Sequence, residues 1–246
     1  SFKTHKRMTT VTPYNTTEGK KKQVTKMFDN IAGSYDFLNH TLSLGMDNIW
    51  RKIAIKKLTN NPATILDIAT GTGDFAISAS KYTKANITGI DISQGMLDVG
   101  IEKIRKKNLS DRINLQLADS ENLPFEDNSY DAITAGFGVR NFEDLNKGLS
   151  EMYRTLKENG IVAILEPSEP TRFPLKQFYN LYFHHILPFI GGIISKDKNA
   201  YTYLPDSVSA FPSGNKFLTE LKKVGFKECK HIPITFGVVS LYIAIK

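Results

Sequence analysis

The densest chemistry in the chain lies between Asp67 and Asp74. Asp67-Ile68-Ala69-Thr70-Gly71-Thr72-Gly73-Asp74 sets two carboxylates around two glycines, directly after the apolar pair Ile65-Leu66. Glycines there let the backbone turn tightly and leave no Cβ between it and a ligand. Two readings of the turn compete. Gly71-x-Gly73-x-x-Ala76 satisfies a relaxed dinucleotide fingerprint, in which a pyrophosphate sits on the helix N-terminus. Two carboxylates at that spot repel a doubly charged pyrophosphate. S-adenosylmethionine has no phosphate and carries a sulfonium and an ammonium cation, so the same carboxylates favour it.

The pattern therefore predicts an S-adenosylmethionine site built on Asp67, Gly71, Thr72 and Gly73. Asp91, 20 residues past Gly71, can accept from both ribose hydroxyls, with Ile92 beside it. Asp119 can accept from the adenine amino group while the Ser120 amide meets a ring nitrogen. All follow apolar runs that read as strands, at the edge where open α/β sheets bind ligands.

The elements that must position these residues follow from periodicity. Val24, Met27, Phe28, Ile31 and Tyr35 recur at helical spacing, as do Trp50, Ile53, Ala54 and Leu58. Residues 1–61 thus read as a helical extension ending at Asn61-Pro62, with 1–7 an added or upstream segment outside the fold. Residues 62–246 read as one domain. Strands are predicted at 65–69, 87–91, 113–118, 130–135 and 161–165, with helices between them, one capped by Ser93. That alternation implies a doubly wound, mostly parallel sheet. Residues 228–234 and 238–245 have no helix between them and predict an antiparallel C-terminal hairpin, seven strands in all. Residues 167–214 break the alternation and read as a lid inserted over the sheet edge.

Composition narrows the classes. The 246 residues are 41% apolar and 23% charged, as in soluble globular proteins. Cys229 is the only cysteine, which excludes an internal disulfide and a Cys-rich zinc site. No metal-ligand spacing appears, so no metal is expected. The net charge of +7 favours anionic partners. Its runs, Lys20-Lys21-Lys22 and Lys103 to Lys107, read as solvated helix faces or as contacts to lipid headgroups or another polyanion. No run of 18 apolar residues is present to span a bilayer.

Several segments together resemble the ubiquinone/menaquinone biosynthesis C-methyltransferases, within the class I S-adenosylmethionine-dependent methyltransferases. Phe28-Asp29-Asn30-Ile31-Ala32-Gly33-Ser34-Tyr35-Asp36-Phe37-Leu38-Asn39 matches the family's first segment, followed by Leu42-Ser43-Leu44-Gly45 and Trp50-Arg51. Gly71-Thr72-Gly73-Asp74, Leu123-Pro124-Phe125 and Phe137-Gly138-Val139-Arg140-Asn141 match its central motifs. Tyr201-Thr202-Tyr203-Leu204 and Phe211-Pro212 match its insertion. Gly136 departs from relatives that carry serine there, which removes a hydroxyl contact to the cofactor.

The resemblance implies methyl transfer to a ring carbon of a prenylated quinol, demethylmenaquinol becoming menaquinol. Methylation of a methoxy-benzoquinol for ubiquinone is the alternative, and another small molecule the next. A quinol carbon becomes nucleophilic when a neighbouring hydroxyl loses its proton. Arg140, just past the fourth strand, is expected to stabilise that phenolate and Asn141 to orient it, with Asp74 or Tyr35 completing the network. A guanidinium is too weak an acid to serve as a simple base. His184-His185 is the competing basic pair, but neighbours on a helix point apart. The greasy stretch 178–190 reads as a packed lid or as a lip through which a prenyl tail is reached from a membrane surface. The expected place is the cytoplasm, with transient contact at the inner face of the cell membrane; a second copy of the chain is a candidate partner. A nucleic-acid substrate is not expected, because residues 136–141 lack the Pro-Pro-aromatic signature of amino-methylating enzymes and no basic stripe with stacked aromatics emerges.

Overall fold

A computed structural model describes residues 11–187, 189, 197 and 199–246. Residues 1–7, and Pro188 and Ile190 of the greasy stretch, lie outside the described residues, as does the His184 side chain. The chain opens with α1 (Lys20–Leu42) and α2 (Met46–Ile55), then alternates. β1 (Thr64–Ile68), α3 (Asp74–Tyr82), β2 (Asn86–Asp91), α4 (Gln94–Lys106), β3 (Ile113–Leu117) and β4 (Tyr130–Gly136) follow. A 3-10 turn at Val139–Asn141 precedes α5 (Leu145–Thr155) and β5 (Leu156–Pro167). The insertion holds α6 (Leu175–Leu181), a π-turn (Tyr182–Ile186) and α7 (Asn199–Ala210). α8 (Asn215–Val224), β6 (Lys227–Ile234) and β7 (Val239–Ile245) close the chain.

The seven strands run in the order β3-β2-β1-β4-β5-β7-β6. β1 to β5 are parallel, and β7 lies antiparallel between β5 and β6. The class I fold and the antiparallel hairpin expected from the sequence are both present. β5 is longer than its apolar run, because Leu156 already pairs with Tyr130 across a bulge.

Alternation along β1 explains the two layers. Ile65 packs with Trp50, Phe75 and Leu97 on one face. Leu66 and Ile68 pack with Leu149, Met152 and Phe217 on the other. Strands covered on both faces need apolar residues at nearly every position. A third cluster lies at the insertion, where Val24, Met27, Ile31 and Leu38 of α1 meet Leu187, Ala200, Tyr201 and Tyr203. α1 and the insertion therefore shelter each other rather than packing into the sheet's own core.

Candidate active site

At the end of β1 the chain turns through Ala69 (φ 52°), Gly71 (φ 56°) and Gly73 (φ 80°) into α3. Thr70 N donates to Ile90 O, and Gly71 N donates to Asp91 Oδ2, each at 2.8 Å. The turn is thus stitched to the end of β2. Asp91 Oδ1 accepts from Ser93 N at 2.9 Å. Burial pushes this carboxyl above its ordinary range, and each oxygen keeps a lone pair for a ligand. Ser93 caps α4 as expected, its Oγ accepting from Met96 N.

Gly71, Asp91, Ile92, Asp119, Ser120 and Gly136 line one cavity of about 600 Å³, closed from above by Lys21, Val24 and Phe28 of α1. A Cβ on Gly71 would sit 3.2 Å from Met96 Cε, so a side chain there would invade the cavity. Asn141 Nδ2 on the same wall is buried without a partner among the described residues. A bare donor, a carboxylate with open lone pairs and a glycine wall together offer a polar ligand a donor, an acceptor and room to approach the backbone. Asp119 is already engaged: Lys21 Nζ lies 2.8 Å from its Oδ2, and Glu121 N donates to Oδ1.

Asp67, Thr72 and Gly73 do not line this cavity. Asp67 is fully buried and accepts from Thr70 Oγ1 at 2.5 Å and Thr134 Oγ1 at 2.7 Å. Thr134 is its register partner on β4. Burial raises the Asp67 pKa to about 6, although both hydroxyls favour the charged form. The residue holds the turn from beneath. Thr72 Oγ1 donates to Asp36, and Gly73 precedes the first turn of α3.

Among the described residues Asp74 pairs with cations other than Arg140. Its carboxylate takes Lys103 at 2.7 Å and lies 3.5 Å from both Arg51 Nη2 and His40 Nε2. His40, Asp47 and Asp74 bring ligand atoms within 4.8 Å of one another. Arg51, 2.7 Å from Asp47, and Lys103 already supply positive charge to that group.

A second, larger and mostly apolar cavity of about 1580 Å³ opens between α1, α2 and the insertion. Phe28, Tyr35 and Phe137 border both cavities, so the two meet there. Arg140 lines the second one. Its Nε donates to Ser207 Oγ at 3.3 Å, and its Nη1 donates to Glu166 Oε2 at 3.1 Å and to Phe137 O. Nη2 has no partner among the described residues. Glu166 is fully buried at the end of β5; its Oε1 accepts from Val139 N at 2.7 Å, and burial raises its pKa. Burial likewise raises the pKa of Tyr35. His185 is exposed and lines neither cavity.

The lysine runs are not solvated faces throughout. Lys20 Nζ donates to Arg140 O and Phe142 O, each at 3.0 Å, and desolvation, then the Arg140 charge, pulls its pKa down to about 8. Lys21 bridges Asp119 and Glu121. Lys22 alone of the three is exposed, pairing with Glu18. Lys103 joins Asp36 and Asp74. Glu166, Tyr203, Ser207, Lys20 and Lys21 are site residues that sequence reasoning passed over. For Glu166 a signal existed: a carboxylate directly after Ile161–Leu165 must be buried and needs a cation.

The family model that matches this chain, over residues 16–246, is the ubiE/COQ5 methyltransferase family. The demethylmenaquinone methyltransferase of Bacteroides fragilis is 49% identical over 238 residues, covering 96% of this chain and 97% of that protein. That of Porphyromonas gingivalis is 44% identical, covering 96% and 98%. The ubiquinone/menaquinone biosynthesis C-methyltransferase UbiE of Geotalea daltonii is 46% identical, covering 92% and 97%. Among solved structures, a SAM-dependent methyltransferase from Aquifex aeolicus superposes with a TM-score of 0.60 at 18% identity, covering 81% of this chain and 91% of that one, a likeness of fold. Sheet order, glycine turn and near full-length relatives agree: the chain belongs to the ubiE/COQ5 methyltransferase family.

Proposed function

We propose that this protein methylates a ring carbon of a prenylated quinol, converting demethylmenaquinol to menaquinol, with S-adenosylmethionine as donor. The observation that carries the reading is the junction at Phe28, Tyr35 and Phe137, where a smaller cavity that holds the Asp91 and Asp119 carboxylates meets a large apolar one. Asp91 and Gly71 would hold the donor's ribose side, with Ser120 and Asp119 at its base. When bound, the donor supplies a methyl group already activated on a sulfonium.

The chain's own residues then have to orient the acceptor and favour its phenolate. Arg140 is fixed through Nε and Nη1, which leaves Nη2 to meet an acceptor oxygen in the apolar cavity. A charge-assisted bond is stronger in such surroundings than in water. The guanidinium cannot take the proton; it makes the phenolate easier to form. Met27, Ile31, Leu42, Phe178 and Tyr182 offer an isoprenoid tail an apolar wall. Incubation with methyl-labelled donor and short-chain demethylmenaquinol, kept reduced, tests the bond formed. Label on a ring carbon in the product's mass spectrum supports the reading, and label on oxygen overturns it.

Transient docking on a membrane surface belongs to the same proposal. Among the described residues no helix is long and apolar enough to cross a membrane. Leu44 and Phe236 are 87% and 80% exposed, each held at positive φ (53° and 57°). Phe173 and Phe178 are exposed beside Arg172 and Lys176. Leu44 and Phe178 rim the apolar cavity. Apolar side chains displayed on strained turns, with cations nearby, suit shallow insertion into a headgroup layer. Cosedimentation with vesicles containing anionic lipid should fall when Leu44 and Phe236 are both changed to serine. Unchanged sedimentation removes the proposal.

A further inference from the structure

The insertion does more than wall the apolar cavity. Tyr203 and Ser207 are four residues apart on α7, on one face, and both are buried. Tyr203 Oη donates to Asn141 Oδ1 at 3.1 Å. Ser207 Oγ donates to Leu204 O at 2.8 Å, which turns a lone pair toward Arg140 Nε, 3.3 Å away. One helix face therefore grips both members of the Arg140-Asn141 pair. Burial raises the Tyr203 pKa to about 12, so it stays a donor at neutral pH. Tyr201, Tyr203 and Leu204 of the same helix line the apolar cavity, whereas Asn141 lines the donor cavity.

We propose that Tyr203 and Ser207 are positioning residues that couple occupancy of the apolar cavity to the setting of Arg140 and Asn141. The inference rests on the quinol reading above. Tail contacts seat α7. The seated Tyr203 fixes the Asn141 amide so that Nδ2 points into the donor cavity, and the seated Ser207 fixes the Arg140 guanidinium so that Nη2 faces the acceptor. Binding energy from the unreactive tail is then spent on orientation and appears in kcat.

The test compares short-chain demethylmenaquinol with the same quinol lacking its prenyl group. The wild type should show a kcat about tenfold higher with the tail present. Tyr203→Phe and Ser207→Ala should each lose most of that gain while the dissociation constant for S-adenosylmethionine holds, and Ser207→Thr should restore it. A merely structural role would leave the kcat ratio between the two acceptors unchanged. A tail effect confined to KM, or a kcat gain that survives in both variants, overturns the coupling. The side-chain amide signal of Asn141, followed in protein carrying 15N-labelled asparagine, needs no acceptor. It should move or exchange faster in Tyr203→Phe; an unmoved signal refutes the positioning role. Turnover of neither quinol by the wild type would sink the substrate reading, and the amide signal would still decide whether Tyr203 holds Asn141.

Discussion

Asp67 beneath the glycine turn gives a quantitative test of how the site is held. Its folded-state pKa of about 6 stands above the ordinary 3.8 because burial outweighs two hydroxyl donors. At 1.36 kcal/mol per pH unit, ionising it in the fold costs about 3 kcal/mol more than in the unfolded chain. The sign follows from proton counts. Between pH 3.8 and about 6 the folded state keeps a proton that the unfolded chain has released, so stability falls as pH rises through this window. About 2 kcal/mol of the loss falls between pH 4.5 and 7.5. Asp67→Asn removes the ionisation. Its amide can donate to one threonine hydroxyl and accept from the other, at a cost that does not vary with pH. Urea unfolding of both proteins across that range should therefore show the variant gaining about 2 kcal/mol on the wild type. For a chain of this size that corresponds to roughly 4–8 °C in melting midpoint. The slope of the difference, not its offset, is the test. A difference that stays flat with pH would mean that Asp67 titrates normally and that burial does not govern it.

Other expectations follow from the same geometry. Gly71→Ala places a Cβ at positive φ, at a strain of about 1–2 kcal/mol, and 3.2 Å from Met96 Cε; calorimetry should show donor affinity reduced at least tenfold. Arg140→Lys keeps a cation for Glu166 but loses the fixed fork, so kcat should drop about a hundredfold with donor affinity unchanged. Arg140→Met leaves Glu166 buried without its cation, and the unfolding free energy should drop by about 3–5 kcal/mol. Lys21→Met opens the latch between α1 and Asp119 and Glu121, and stopped-flow dissociation of the donor should quicken about two- to fivefold.

What the sequence made legible was what strands and turns must satisfy locally. Ile65, Leu66 and Ile68 are apolar because β1 is covered on both faces, and a glycine turn opening a helix leaves a strong trace. Partnerships across the fold left less. Asp74 follows the glycines, but Lys103 on α4 and Arg51 on α2 claim it from elements whose approach no local pattern records. Lys20 and Lys21 look alike in sequence, yet one step around α1 sends the first to carbonyls beside Arg140 and the second to Asp119. Tyr203 and Ser207 show helical spacing, but Pro205 between them and the surrounding prolines hid the helix that carries them.

The most direct measurement offers the wild-type protein labelled S-adenosylmethionine with short-chain demethylmenaquinol and, separately, with the demethylated methoxy-benzoquinol, both kept reduced. Label should pass to the naphthoquinol. Transfer to neither quinol, with donor binding intact, would leave the family and the donor cavity standing and contradict the use assigned to the apolar one.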